Sequence, residues 1–177
     1  MGVIMDQITF NKKYVEFCAP FVKGLQKIYS TMLHSEIKPL KPEIKTNVNL
    51  HGDHSAVMGM NGHYDDAGKA LPFRGSLLIS WPEASYLKTA SAMLGQEFKK
   101  YNEEIADVGS EICNMTMGSA KSVLVEIGYR IEMSIPTAIT GKDHQLQAQK
   151  GVTTVLLPFE CALGNFFIEV NFAFTEI

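Results

Sequence analysis

A chain of 177 residues is close to the usual size of one domain and long enough to bury a hydrophobic core without disulfide or metal staples. Its composition, 46% hydrophobic and 20% charged with a net charge of -3, lacks the basic bias of a nucleic-acid binder. No stretch approaches the roughly 18 uninterrupted apolar residues of a membrane helix, and residues 1–9 carry no basic region leading into an apolar segment, which predicts a soluble cytoplasmic protein with a single domain over 1–177.

Over residues 11–34 the apolar side chains Tyr14, Phe17, Phe21, Leu25, Ile28 and Met32 recur every three or four positions, the helical period. Pro20 lies inside that run. Because proline cannot donate to the helical ladder, it marks either a kink or the true first turn of the main helix, and the second is the reading favoured. After Pro39 and Pro42 the pattern turns to alternation, and residues 55–60 and 76–81 read as strands. The acidic, Gly-containing piece between them, residues 63–68, reads as a hairpin loop in which Asp65 and Asp66 are solvated turn residues.

Pro82 and Glu83 open a helix that runs to Leu94 and stops at Gly95. Asn102 is a plausible cap for the next helix, with Glu103 and Glu104 in its first turn, continuing to about Val125 or Ile127 before Gly128. This reads as the longest element. Residues 130–135, 152–158 and 165–174 are β-branched or alternating and predict closing strands, with a polar loop over 142–150. The class is α+β, an α/β sandwich of a mainly antiparallel sheet covered by helices.

The helix from Asn102 has an apolar face in Ile105, Val108, Ile112, Met115 or Thr116, and Val123. Asp107, Glu111, Asn114, Gly118 and Lys121, spaced four, three, four and three apart, form a nearly straight row on another face. Residues three apart differ by about 60° around the axis and roughly 4.5 Å along it, so Glu111 and Asn114 can engage one ligand together. A glycine inside a helix costs up to about 1 kcal/mol relative to alanine. Gly118 therefore reads either as a helix-packing position or as a place where something approaches the backbone. Spacing alone favours a solvated helix face with a helix-packing glycine.

The segment from Glu104 to Lys121, EIADVGSEICNMTMGSAK, resembles the signature helix of the CheC/CheX/FliY phosphatases, in which an acidic or Ser residue, a Glu and an Asn recur at fixed spacing. Asp107, Glu111 and Asn114 match it, and Pro136 in Ser134-Ile-Pro-Thr-Ala-Ile-Thr-Gly141 matches the proline that follows. Similarity extends over the 75–81 strand, the helix ending Ala92-Met-Leu-Gly95 and the closing Leu157-Pro-Phe-Glu160. The first helix offers no second Glu-x2-Asn, which points to the single-site CheX type.

The resemblance implies dephosphorylation of the aspartyl phosphate of a CheY-like response-regulator receiver. It assigns Asn114 to positioning the attacking water and Glu111 to a salt bridge with the receiver's lysine. Asp107, Gly118 and Lys121 become partner-contact positions, the Mg²⁺ is the receiver's own, with no cofactor in this chain, and the assembly is a homodimer. The competing reading is a non-catalytic partner-binding module like the middle domain of the flagellar switch proteins.

Elsewhere, His51-Gly-Asp-His54 with His63 lacks a fourth ligand and reads as a surface turn rather than a metal site. No phosphate-binding Gly-x4-Gly-Lys-Ser/Thr loop and no Gly-x-Ser-x-Gly elbow occurs. Cys18, Cys113 and Cys161, widely separated and embedded in apolar stretches, read as buried thiols.

Overall fold

A computed structural model describes residues 7–45, 52–142, 144, 146 and 152–175. The first helix, α1, spans Gln7–Met32 and runs uninterrupted through Pro20, so the proline does not begin it. The energetics explain why. A proline inside a helix costs about 3 kcal/mol, whereas burying each large apolar side chain returns about 1.5–3 kcal/mol. Tyr14 and Phe17, both before Pro20, are 6% and 0% exposed. At 26 residues α1 is also the longest helix, ahead of the 19-residue α3 described below. Met32 at its end is 43% exposed, and Tyr29 and Leu33 fill the core there instead.

Two short strands follow, β1 (Ile37–Pro39) and β2 (Glu43–Ile44), then the long hairpin of β3 (His54–Asp66) and β4 (Lys69–Trp81). The expected loop over 63–68 is narrower than its composition implies. Strand pairing continues to Asp66 opposite Lys69, and only Ala67 and Gly68 turn, both at positive φ. Asp65 thus lies within a strand and faces His63 at 3.6 Å and Arg130 at 4.0 Å.

Helix α2 (Glu83–Leu94) begins after Pro82 and ends on Gly95, whose left-handed conformation lets its N–H bond Ser91 O, as expected from the sequence. Asp53, just ahead of β3, supplies the missing cap by accepting the Glu83 N–H at 2.9 Å. Helix α3 (Val108–Glu126) is followed by β5 (Tyr129–Met133), β6 (Thr137–Thr140), β7 (Thr154–Cys161) and β8 (Phe166–Phe174).

All strands pair antiparallel in one sheet of order β1-β7-β8-β4-β3-β5, with β2 also on β7 and β6 also on β3. The α+β class expected from the sequence is the observed one. Alternation sorts the two faces. Ala56, Met58, Leu77, Ile79, Ile168, Val170 and Phe172 point to one side and join α1, α2 and α3 in a single core. Phe17 sits at its centre, stacked on Phe172 with ring centroids 4.1 Å apart.

Candidate active site

The start of α3 is built differently from the sequence expectation. Asn102 does accept the Glu104 N–H at 3.1 Å, but it caps a single 3₁₀ turn, Glu103–Ile105. The α-helix proper begins at Val108 with Asp107 in the capping position, and the Asp107 side chain makes no capping bond. The Tyr86 hydroxyl of α2 bridges the break, donating to Ile105 O at 2.7 Å and accepting from Gly109 N at 3.1 Å.

Past this break α3 is clamped along its inner side. Gly109, Ile112, Cys113, Thr116, Met117, Ala120 and Leu124 are buried, and the Thr116 hydroxyl donates to Ile112 O at 2.7 Å. The helix lies close to its neighbours because small residues meet there. A Cβ on Gly24 of α1 would stand 3.1 Å from the Ser119 side chain, and one on Gly109 3.1 Å from Trp81 and 3.2 Å from Tyr86. Val123, expected on the inner face, is 45% exposed, and Leu124 is the buried residue.

Asp107, Glu111 and Asn114 are exposed, and Gly118 and Lys121 are half-buried. At about 100° per residue, Glu111 and Gly118 lie within roughly 20° of each other, two turns apart, with Asn114 between and rotated by about 60°. The row faces almost directly away from the sheet. Among the described residues, neither the Glu111 carboxylate nor the Asn114 amide has a hydrogen-bond or ion-pair partner, leaving both available to an incoming surface. A Cβ added at Gly118 would meet nothing within 4 Å, so the packing glycines of this helix layer are Gly24 and Gly109, not Gly118. Pro136 lies in the three-residue link between β5 and β6, on the sheet edge beside β3.

Gly118→Ala should therefore stabilise the fold. The expected gain is about 0.5–1 kcal/mol in denaturant unfolding, because the methyl group removes backbone freedom from the unfolded chain and finds open space in the folded one. A loss of stability would mean that the site is closed by contacts the geometry does not contain.

The histidines and cysteines singled out in the sequence stand apart from this row. His51 lies outside the described residues. His54 is buried and stacked between Tyr86 and Tyr101, at centroid distances of 4.4 and 4.6 Å, and burial holds its imidazole below the usual range. Burial pushes the Cys18 and Cys113 thiols up to about 12, which makes them inert at neutral pH. All three cysteines are free. Among the described residues, no group of three or more His, Cys, Asp or Glu side chains is placed to hold a metal ion, and no helix is long and apolar enough to cross a membrane.

The family model described as chemotaxis phosphatase CheX matches residues 54–160, which takes in the hairpin, α2, α3 and the strands to β7. The chain belongs to that family. It is thereby a member of a family of protein phosphatases, hydrolases of chemotaxis signalling, within the CheC-like superfamily. A CheY-P phosphatase CheX of Thermotoga maritima is 26% identical over 125 residues, covering 68% of this chain and 75% of that protein. A CheC-like superfamily protein from Shewanella sp. PV-4 superposes with a TM-score of 0.81 at 32% identity, covering 90% of this chain and 98% of its own. The Borrelia burgdorferi CheX, solved in a complex with CheY, BeF₃ and Mg²⁺, shares the fold with a TM-score of 0.71 at 24% identity, covering 92% and 99%.

Proposed function

We propose that this CheX-family protein hydrolyses the aspartyl phosphate of a CheY-like receiver in the cytoplasm, with Asn114 and Glu111 as its working residues. The observation that carries the reading is their shared, unpartnered exposure on the outer face of a helix whose inner face is fully embedded. The CheY-P phosphatase activity of the Thermotoga maritima relative supplies the substrate class.

In the reaction, a water oxygen attacks phosphorus, the P–O bond to the aspartyl carboxyl breaks, and the carboxylate leaves with the bonding electrons. Inorganic phosphate takes the water's oxygen and one of its protons, and the other proton passes to solvent. Such transfer is catalysed mainly by placement and electrostatics. The Asn114 carbonyl accepts a hydrogen bond from the water and holds it in line, a task that needs no strong base. Glu111 pairs with the receiver's lysine, and the receiver brings its own Mg²⁺. Asp107, Gly118 and Lys121 border the contact, where the bare backbone at Gly118 lets the partner come close.

The chain acts as a homodimer, with sheets paired across a two-fold. The free edge formed by β5 and β6 fits this role, since Ile135 is 85% exposed and Met133 38%. Sedimentation of the intact chain tests this, and a monomer at assay concentration rejects it. Phosphate release from a phosphorylated receiver, with catalytic amounts of the protein, tests the activity. Acceleration with turnover is the expected result, whereas binding without acceleration across the available receivers would establish a scaffold.

A further inference from the structure

Helix α3 begins with an unusual division of labour. The first amides of the helix lie at the break after the 3₁₀ turn, and the side chain of Asp107, the local capping residue, makes no bond to them. Among the described residues, the side-chain hydroxyl that serves this break comes from α2. Tyr86 Oη donates to Ile105 O on one side and accepts from Gly109 N on the other, fixing where the 3₁₀ turn ends and the α-helix starts.

The Tyr86 ring has little room to move. It is 3% exposed, stacks on His54 at 4.4 Å and meets Trp81 edge-on at 5.7 Å. Trp81 is anchored in turn by its indole N–H, which donates to Tyr29 Oη at 2.9 Å. Gly109 presses against the same two rings, where a methyl group would stand 3.1 Å from Trp81 and 3.2 Å from Tyr86 and would require the rings to give by a few tenths of an ångström. Burial pushes the Tyr86 hydroxyl up to about 12, so it remains a proton donor at neutral pH.

We infer that Tyr86 is a positioning residue for receiver docking: through Gly109 it sets the first turn of α3, and with it the carboxylates of Asp107 and Glu111. The Glu111 N–H bonds Asp107 O at 2.9 Å, so both carboxylates ride on the turn that Tyr86 holds. Asn114 stands one turn further, where Ile112, Cys113, Thr116 and Met117 fix the helix independently. The tyrosine therefore acts on binding more than on the chemical step. This inference rests on the proposed roles of Glu111 and Asn114.

The test compares Tyr86→Phe with the unaltered protein in phosphate release over a range of phosphorylated receiver concentrations, alongside a thermal melt and amide exchange. A neutral hydrogen bond is worth about 0.5–1.5 kcal/mol, so KM should rise roughly three- to tenfold while kcat stays within about twofold. Amide exchange should accelerate at Gly109 and its neighbours and remain unchanged in the second half of α3. Gly109→Ala, which crowds the same turn against the rings, should raise KM in the same direction and does not depend on the phenylalanine variant folding. An unchanged KM in both variants overturns the inference, including the case where kcat falls with the folded fraction, since that marks a merely structural role. Asn114→Ala, measured in parallel, separates the two levels. If it keeps the full rate, the proposed site itself is wrong, whereas its inactivity beside an unchanged KM in Tyr86→Phe removes only the role of Tyr86.

Discussion

Asn114→Ala should lower the turnover of phosphorylated receiver by about 10²-fold, equivalent to roughly 2.7 kcal/mol of transition-state stabilisation. The loss should appear in kcat, with KM for the phosphorylated receiver nearly unchanged, because in the proposed mechanism the amide holds a water rather than the partner. Stability should not fall. Asn114 is exposed and its side chain has no partner among the described residues, so alanine leaves no orphaned group and improves helix propensity slightly. A matching denaturation midpoint, measured on the same preparation, distinguishes lost catalysis from lost protein. Asn114→Asp is the sharper control. It preserves size and an acceptor but places a negative charge beside an anionic phosphoryl group, so its activity should fall at least as far. Full activity in either variant would show that the water is held by something else.

Much of this site can be read from the sequence because it is local. Asp107, Glu111, Asn114, Gly118 and Lys121 share a face by helical spacing alone, and the folded chain keeps them on one outward row. Pro82 and Gly95 bound α2 for equally local reasons, a missing donor at one end and a left-handed cap at the other. What sequence could not supply lies in contacts between distant segments. Reading apolar residues as the inner face finds Ile105, Val108, Ile112 and Thr116, all buried, but also selects the exposed Val123. It misses Gly109, Cys113 and Ala120, small residues whose value appears only when Trp81, Tyr86 and α1 come close. Tyr86 is 23 residues from the amide it receives. The strands β1, β2 and β6 carry too few residues for a period and exist because β7 and β3 offer them edges.

The opposite side of the sheet carries the largest expected stability effect and should leave turnover untouched. Glu169 alternates with Ile168 and Val170, which face the helices, and so points to the far face. There Lys45 Nζ meets both Glu169 carboxylate oxygens, at 2.7 and 2.8 Å, and donates to Leu146 O at 3.0 Å, with the two side chains only 2% and 8% exposed. Removing one partner of a buried ion pair leaves the other charge unsolvated and costs about 3–5 kcal/mol. Glu169→Ala should accordingly lower the urea unfolding free energy by about 3 kcal/mol, the low end, because Lys45 lies at the margin of the sheet and its flexible stem can turn toward water. The double variant Lys45→Met with Glu169→Met should recover most of that loss, since two apolar side chains of similar length replace the pair without an orphaned charge. In both variants the phosphatase rate per folded molecule should equal that of the unaltered protein, because the row on α3 is held from the other face by Ile112, Cys113 and Thr116. A loss below about 1 kcal/mol in Glu169→Ala would mean that the ammonium is freely rehydrated and that the pair clamps nothing. A fall in kcat at full folding would mean instead that the two faces of the sheet are coupled, and that the placement of Asn114 depends on more than the core beneath it.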